Sequence, residues 1–404
     1  MTPRTLRAAL ATIIAVGATA AVAAPAASAA DDRDPRTNLR VATYNVSLNR
    51  ATEGGLAADL ATPDNAQARA LAEAIQTADP DVVLLNEFDH DAEGTSAELF
   101  RENYLKVPQG GQDAVKYPYA FWAPVNTGVP SGFDLNNDGT VGGPDDAWGF
   151  GAFPGQYGML LLSKHPIAKD DVRTFQNFRW QDMPGNVIPE DWYTEEELAG
   201  LPLSSKSHWD VPIEVGTQTV HVLAAHPTPP TFDGPEDRNG RKNHDEIRFW
   251  ADYVRGADYI YDDAGVEGGL EAGARFVIAG DYNADPHDGD AYDGAIDQLL
   301  EHNRIQDPLP ASEGGAEAAA LQGGANASHE GDPALDTADF ADTAPGNLRA
   351  DYVLPSRNLP VFGSGVFWPE QGEPGAELTG AYPFPTSDHR LVWVDLRVPG
   401  GKAR

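Results

Sequence analysis

The stretch Val82-Val83-Leu84-Leu85-Asn86-Glu87 decides the fold, because four consecutive apolar residues end directly in an amide and a carboxylate. A short apolar run that ends in polar residues predicts a β-strand. Comparable runs recur along the whole chain. They predict strands at residues 39–46, 82–85, 157–162, 220–225, 276–279, 352–354 and 391–398.

Helical periodicity is found in fewer segments than the strand pattern. Apolar residues recur at helical spacing from Ala66 to Ala78, where Pro80 stops the pattern, and again from Ile247 through Val254 to Tyr261. Because predicted strands far outnumber predicted helices, the sequence favours an α+β fold over an evenly alternating parallel-sheet fold. The expected architecture is a sandwich of two packed β-sheets with helices outside.

The charge balance is strongly acidic. The 404 residues include 28 Lys plus Arg and 62 Asp plus Glu, which gives a formal net charge of -34. A protein that grips nucleic acid mainly by neutralising phosphates needs a basic surface, so a tight non-specific nucleic-acid coat is not expected. An enzyme that holds a phosphate through a metal ion is not excluded by this argument. The hydrophobic content of 41% excludes global disorder.

The first thirty residues have the pattern of a signal peptide. Arg4 and Arg7 precede an Ala-rich apolar run, and small residues from Ala27 to Ala30 come before Asp31. A membrane anchor is the weaker alternative, and no later stretch approaches the roughly 18 apolar residues of a spanning helix. The sequence therefore predicts a secreted protein without a transmembrane anchor. The chain has no cysteine, so no disulfide contributes to its stability.

Residues 31–404 are predicted to form a single domain with two insertions. The segment at about 106–155 is rich in Gly, Pro and aromatic residues, and the segment at 311–346 is rich in Ala, Gly and Asp. Both are expected to be long surface excursions.

Polar side chains follow several predicted strands at the point where each strand ends. An Asn or Asp after a strand is usually a turn residue, but several such junctions in one chain are harder to explain in that way. If the strand ends share one rim, their oxygen-rich and cysteine-free side chains suit Mg²⁺ or Ca²⁺ better than zinc. Together with two histidines they predict phosphoester hydrolysis. The junction residues are Asn45, Glu87, His226, Asp281, Asn283, Asp388 and His389.

At these residues the sequence resembles the endonuclease/exonuclease/phosphatase superfamily, which includes pancreatic-type deoxyribonuclease, abasic-site endonucleases, bacterial sphingomyelinases and inositol polyphosphate 5-phosphatases. The resemblance implies a four-layered α/β sandwich with the active site on one edge. It rests on an ordered set of short blocks between residues 39 and 398. The blocks are Tyr44-Asn45, Asn86-Glu87, GMLLLSK at 158–164, Ala225-His226, Gly280-Asp281-Tyr282-Asn283, Asp351-Tyr352-Val353 and Ser387-Asp388-His389.

The resemblance also implies a role for each matching residue. Glu87 would be the principal ligand of a Mg²⁺ or Mn²⁺ ion, with Asn45 and Asp388 helping to hold metal and phosphate. Asp281 would orient the attacking water or stabilise the transition state, and Asn283 would donate to a phosphoryl oxygen. His389, oriented by Asp351, would act on the water side, and His226 at the leaving group. Many family members have Gln where this chain has Asn86, which puts the contact beside Glu87 in doubt.

A second candidate metal site lies within the first insertion. From Asp134 to Asp145 the chain has the spacing of an EF-hand loop, with Gly139 at its sixth position, but without convincing flanking helices. The pattern predicts a structural Ca²⁺ site, and the alternative is a simple acidic turn. The predicted ligands are Asp134, Asn136, Asp138, Thr140 and Asp145.

The sequence leaves the substrate open between nucleic acid and a small phosphorylated molecule. The cluster of Arg238, Arg241, Lys242 and Arg248 is the basic feature near the His226 strand. A different class of function is a non-catalytic, calcium-binding extracellular protein that retains the fold. Against that alternative, every position expected to be catalytic is occupied.

Overall fold

Two large β-sheets pack face to face at the centre of the structure, a computed structural model that describes residues 38–400. The predicted signal peptide at residues 1–30 lies outside the described residues. Thirteen strands occur between residues 38 and 400: β1 Asn38–Leu48, β2 Val82–Phe88, β3 Tyr119–Phe121, β4 Met159–Ser163, β5 Arg173–Thr174, β6 Trp209–Val215, β7 Gln218–Ala225, β8 Phe276–Asp281, β9 Ala338–Asp339, β10 Asn347–Leu348, β11 Asp351–Pro355, β12 Val361–Val366 and β13 Val392–Arg397.

In each sheet, the strand order places the carboxyl ends of two central strands side by side. The first sheet has the order β12-β13-β1-β2-β4-β3, and the second has the order β11-β8-β7-β6-β5. In each sheet one central pair is parallel, β1 with β2 and β7 with β8, while the other pairs are antiparallel. Because parallel neighbours end at the same edge, the carboxyl ends of each pair lie side by side.

Eight α-helices accompany the sheets in the described part of the chain. The N-terminus of the second is capped by Asn65, whose side chain accepts a hydrogen bond from the N–H of Ala68 at 2.9 Å. The fifth ends at Arg255 and is capped by Gly256, which has a φ of 82°. The helices are α1 Gly55–Leu60, α2 Ala66–Ala78, α3 Thr95–Phe100, α4 Glu195–Gly200, α5 Arg238–Arg255, α6 Asp297–Leu300, α7 Glu313–Gln322 and α8 Ala376–Thr379.

Alternation along the strands sorts the core into three layers. In β2, Val82 and Leu84 pack between the two sheets, whereas Val83 and Leu85 pack against α2 on the outside. In β8, residues likewise alternate between the inter-sheet layer and the layer beneath α5. Successive strand side chains point to opposite faces, so a strand that is apolar throughout is covered on both sides. The result is the four-layered α/β sandwich, and the predicted fold class is confirmed.

The insertions are more closely integrated than surface excursions. Residues 106–155 contain strand β3 at the edge of the first sheet, and buried Val125 belongs to the inter-sheet core. The 311–346 segment contains α7 and β9. Across residues 38–400, no helix is both long and apolar enough to cross a lipid bilayer.

A buried histidine ties the second sheet to α5. His208 lies directly before β6, its Nε2 is 2.9 Å from the carbonyl oxygen of Glu246, and its ring packs on Phe249 and Trp250. Burial lowers the pKa of His208 to about 4. The neutral ring is therefore the form that the folded protein accommodates.

We expect this histidine to make the fold sensitive to acid. Since the unfolded chain binds the proton more tightly, stability should fall as pH drops through the ordinary value of 6.5 towards the pKa of the folded state. Between about pH 8 and about pH 5 the loss from His208 should be about 2 kcal/mol. Urea unfolding at both pH values tests this, with His208→Gln as the comparison. The prediction is wrong if His208→Gln loses as much stability on acidification as the wild type.

Candidate active site

Polar side chains from both sheets meet at the edge where β1, β2, β7 and β8 end. The strand registers bring them there, because Asn45 pairs with Asn86 in the first sheet, and Asp281 pairs with Asp351 in the second. His226 follows the last residue of β7, which pairs with Gly280. The sequence-based expectation that these strand ends share one rim therefore agrees with the geometry.

Asp281 is the centre of this cluster. Its Oδ2 accepts a hydrogen bond of 3.0 Å from Asn45 Nδ2 and lies 3.4 Å from His226 Nε2 and 3.7 Å from His389 Nε2. The side chain is 1% exposed. Burial raises its pKa to about 6, while the charge of His389 opposes the rise and that of Asp351 adds to it. One buried carboxylate oxygen thus faces both histidines.

His389 is held by a second buried carboxylate. Its Nδ1 lies 2.8 Å from Asp351 Oδ2, which also accepts a hydrogen bond of 2.9 Å from Thr337 Oγ1. Burial alone would lower the pKa of His389, but the charges of Asp351 and Asp281 outweigh it and keep the pKa well above its ordinary value. The imidazole is therefore cationic in this arrangement.

His226 is in the opposite charge state. The ring is 2% exposed, and its Nδ1 is buried without a hydrogen-bond partner within residues 38–400. Burial lowers its pKa well below the ordinary value, and the positive charges of Lys206 and His389 lower it further. A neutral and a cationic histidine therefore stand on either side of Asp281.

Glu87, Asn45 and Asp388 form the oxygen-rich part of the cluster. Glu87 has a φ of 56°, in the left-handed region that few residues other than glycine adopt, and it accepts a hydrogen bond of 2.7 Å from Asn49 Nδ2. Burial raises the pKa of Glu87, and the nearby charges of Asp388 and Asp281 raise it further. Asp388 accepts a hydrogen bond of 3.2 Å from Ser47 Oγ.

This donor set fits a divalent cation. Within residues 38–400, no Lys or Arg forms an ion pair with Glu87, Asp281 or Asp388. Carboxylates and amide oxygens that repel one another at close range are the ligands that Mg²⁺ and Mn²⁺ prefer. Asp281, Asp351 and His389 also offer atoms within 4.8 Å of one another that could hold a metal ion.

Asn283 and Asn86 connect strand ends. The N–H of Asn283 donates to Asp281 Oδ1 at 3.0 Å, and its Nδ2 donates to the carbonyl oxygen of Pro227 at 3.2 Å. Asn86 is fully buried and spans the two sheets, accepting from Thr43 Oγ1 at 3.2 Å and donating to Ala225 O at 3.4 Å. Asn86, which stands where many family members have Gln, therefore links the two sheets by hydrogen bonds.

The predicted calcium loop folds on its own side chains. Asp134 accepts hydrogen bonds from the N–H groups of Asp138 and Gly139 at 3.0 and 2.8 Å. Asp146, and not the predicted ligand Asp145, turns its carboxylate back onto the loop. It accepts hydrogen bonds from the backbone N–H groups of Leu135 and Gly142, each at 2.7 Å. The predicted twelfth ligand, Asp145, is exposed and lines a cavity beside the cluster.

That cavity has a volume of about 480 Å³. It is lined by Glu87 and His226 from the cluster and by Trp148 from the first insertion. It is also lined by Lys206 and Lys242, two buried lysines. A space of this volume is within the range of small-molecule sites in proteins.

Several residues of the site carry no recognisable sequence signal. Thr337 comes from the second insertion, and Lys206 stands in a serine-rich segment without periodicity. Lys242 stands in the sequence only as part of a basic cluster. Their importance depends on tertiary contacts, which a single sequence does not display.

A four-layered sandwich that gathers carboxylates and two histidines at one edge is the arrangement of metal-dependent hydrolases that act on phosphoesters. The sequence profile of the Endonuclease/Exonuclease/phosphatase family matches residues 42–389, and the chain belongs to that family. Members of the family are typically metal-dependent phosphoesterases or nucleases.

Solved structures of the same superfamily are similar to this chain. A Beutenbergia cavernae endonuclease/exonuclease/phosphatase is 18% identical, with 90% of this chain and 72% of that chain covered and a TM-score of 0.49. TDP2 from Caenorhabditis elegans is 16% identical, with 89% and 74% covered and a TM-score of 0.43. Sphingomyelinase C from Streptomyces griseocarneus is 16% identical, with 89% and 99% covered and a TM-score of 0.43. A comparison with curated proteins returned no match.

A buried arginine holds the turn that carries Asp388 and His389. Arg390 is fully buried and pairs with Asp339 Oδ2 at 3.0 Å. Its Nη1 donates to the carbonyl oxygens of Ser387 and His389 at 2.9 and 3.2 Å. Removing one partner of a buried ion pair leaves the other charge without compensation.

We therefore expect Arg390→Met to lower the free energy of unfolding by about 3–5 kcal/mol. Arg69→Met is the matched control, because Arg69 pairs with Asp64 at the exposed surface and should cost at most about 1 kcal/mol. Urea titration of both variants gives the comparison. Equal losses in the two variants would mean that the Arg390 pair does not support the turn.

Proposed function

We propose that the protein is a secreted, divalent-metal-dependent phosphoesterase whose reaction takes place at Asp281. The observation that carries the proposal is the buried Asp281 oxygen, which faces Asn45, His226 and His389 within 3.0 to 3.7 Å. Carboxylates without Lys or Arg partners lie beside it. Secretion rests on residues 1–30 alone, and its test is export of a fusion that carries those residues.

Glu87 and Asp388, with the side-chain oxygen of Asn45, are the residues that would hold the metal ion. When bound, a Mg²⁺ or Mn²⁺ ion supplies positive charge that stabilises the phosphoryl oxygens in the transition state. Asn45 is held in place because its Nδ2 donates to Asp281, while its Oδ1 accepts from the N–H of Ser47 at 3.1 Å. These contacts keep the ligand atoms oriented before substrate arrives.

Asp281 is suited to receive a proton from the attacking water. With a pKa of about 6 it carries negative charge at neutral pH, yet it binds a proton more readily than an exposed aspartate. Water attacks phosphorus, the bond from phosphorus to the leaving oxygen breaks, and the water proton passes to Asp281 Oδ2. The nearby Asn283, anchored to Pro227, would donate to a phosphoryl oxygen.

The charge states of the histidines change one sequence-based role. We expected His389 to act on the water, which requires a neutral ring nitrogen, but Asp351 and Asp281 keep the ring cationic. A cationic Nε2–H is better suited to donate to a phosphoryl oxygen. His226 keeps the leaving-group role: the negative charge of bound substrate raises its pKa, so the ring takes up a second proton and passes it to the departing oxygen, which leaves as an alcohol.

The basic cluster on α5 does not favour nucleic acid as the substrate. Arg238 is paired with Glu236, Arg248 is paired with Asp252, and Arg241 donates to the carbonyl oxygen of Glu236. A DNA backbone needs a row of free cations, and these arginines are already engaged. With the net charge of -34, this favours a small phosphorylated molecule over nucleic acid.

Replacing Glu87 tests the proposal. Glu87→Gln keeps the size of the side chain but removes its charge, so it should weaken Mn²⁺ binding in calorimetry and reduce hydrolysis of bis-p-nitrophenyl phosphate by at least about 100-fold. Glu301→Gln, on an exposed residue, is the control. A Glu87→Gln protein as active as wild type would refute the site. A wild type that hydrolyses no phosphoester with Mg²⁺ or Mn²⁺ would favour the non-catalytic alternative.

We also propose that the 134–145 loop binds Ca²⁺ for stability. A cation that binds only the folded state adds about 2.7 kcal/mol at a concentration of 100 Kd. Wild type should therefore melt at a higher temperature in Ca²⁺ than in chelator, and the double variant Asp134→Ala with Asp138→Ala should lose this difference. The same calcium response in both proteins would reduce the loop to an acidic turn.

A further inference from the structure

Two lysines are buried in the cavity beside His226, and within residues 38–400 neither of them forms a salt bridge. Lys206 is 5% exposed and Lys242 is 8% exposed, and both line the cavity together with His226 and Glu87. Lysine is almost never so buried unless it is paired. Because His226 is the residue proposed to meet the leaving group, the group that leaves must occupy this cavity.

We propose that the leaving group carries a second phosphate and that Lys206 and Lys242 bind it. The inference rests on the proposed phosphoesterase function, since it assigns the substrate class of the same site. The substrate would be a compact organic molecule with two phosphates, one of which is hydrolysed while the other is held by the lysines.

Lys206 supplies the first argument. Within residues 38–400 its ammonium group makes no hydrogen bond and no ion pair, although its backbone carbonyl accepts from the N–H of Asn126 at 2.9 Å. Burial lowers its pKa, and the charges of Glu246, Glu87 and Asp281 oppose that effect. The ammonium group lines the cavity without a protein acceptor, so a ligand in the cavity can accept all three of its hydrogen bonds.

Lys242 supplies the second argument. Its Nζ donates one hydrogen bond, of 3.2 Å, to the carbonyl oxygen of Trp148. Burial lowers its pKa to about 8, Glu246 raises it, and the charge of Lys206 lowers it. The two lysines therefore repel each other across the cavity, and a dianion that contacts both would remove that repulsion.

Glu246 is the acidic residue whose charge acts on both lysines, but its carboxylate already accepts hydrogen bonds from the backbone. Glu246 is fully buried, and its two carboxylate oxygens accept from the N–H groups of Ser205 and Thr228 at 2.7 and 2.6 Å. It is not within ion-pair distance of either lysine. Glu246 therefore does not neutralise either ammonium group by direct contact, and the carboxylates that line the cavity itself are those of Glu87 and Asp145.

The walls limit the size of the group that can enter. Trp148 and Tyr193 line the cavity, and Phe150 and Phe232 lie at its exposed side, where they are 57% and 86% exposed. About 480 Å³ accommodates a sugar-sized body but not a DNA duplex. Aromatic walls with two cations inside are suited to a small polyanionic molecule with an organic body.

The wild-type protein provides the first test, with Mn²⁺ and matched pairs of substrates. We expect kcat/KM for fructose 1,6-bisphosphate to exceed that for fructose 6-phosphate by about 10- to 100-fold, as expected for charge-assisted hydrogen bonds to one additional group. 3-Phosphoglycerate, which carries a carboxylate in place of the second phosphate, shows whether any second anion suffices. No preference for the bisphosphate, or faster hydrolysis of plasmid DNA, would overturn the proposal even without variants.

The lysine variants provide the second test. Lys206→Met and Lys242→Met should each reduce kcat/KM for the bisphosphate at least about 10-fold more than for the monophosphate, mainly through KM. The exposed Lys169→Met is the control and should leave all values unchanged, and thermal melting verifies that each variant is folded. Equal losses on both substrates would contradict the assignment. If wild type hydrolyses neither substrate nor p-nitrophenyl phosphate, the proposed function itself fails.

Discussion

The hydrogen bond between Asn45 and Asp281 is the contact on which the site depends. Asn45 belongs to β1 in the first sheet, Asp281 ends β8 in the second, and the bond of 3.0 Å between them is fully buried. It fixes the two sheets relative to each other at the edge where the polar side chains converge. A buried polar pair of this kind is costly to break, because a buried donor or acceptor that loses its partner keeps its desolvation penalty. His226 and His389 then reach the same Asp281 oxygen from β7 and from the turn before β13.

The alternation of apolar residues made most of the central fold predictable, and the exceptions have local causes. Strand β6 was missed, and it contains Pro212, which usually argues against a strand. Ala168 donates to the carbonyl oxygen of Pro212 at 3.0 Å, so that side of Pro212 faces the bridge between Ile167 and Ile213 and not strand β7. The missing N–H therefore leaves the ladder between β6 and β7 intact. Similarly, α5 ends at Arg255, so Tyr261 lies outside the helix that its spacing suggested.

The site was predictable where a residue stands at a strand end and unpredictable where another segment supports it. Strand periodicity and family resemblance located Glu87, Asp281 and His389, because strand ends are fixed by the sheets. Thr337, which donates to Asp351, comes from an insertion whose path no pattern specifies. The charge of each histidine depends on burial and on carboxylates distant in sequence. For that reason the charge state of His389 could not be predicted from the residues beside it in the sequence.

The proposed chemistry and the proposed substrate choice depend on different parts of the chain. The groups around Asp281 stand on strands of the two sheets, whereas the cavity is closed by α5 and by the first insertion. Gly149 allows that insertion to lie against the segment before β6, because a Cβ at this position would come within 2.0 Å of the Ser205 carbonyl oxygen. This close approach places Trp148, from the insertion, beside Lys242, and the next residue after Ser205 is Lys206. A change in the insertion can therefore alter the shape of the cavity while the carboxylates and histidines around Asp281 stay where the sheets hold them.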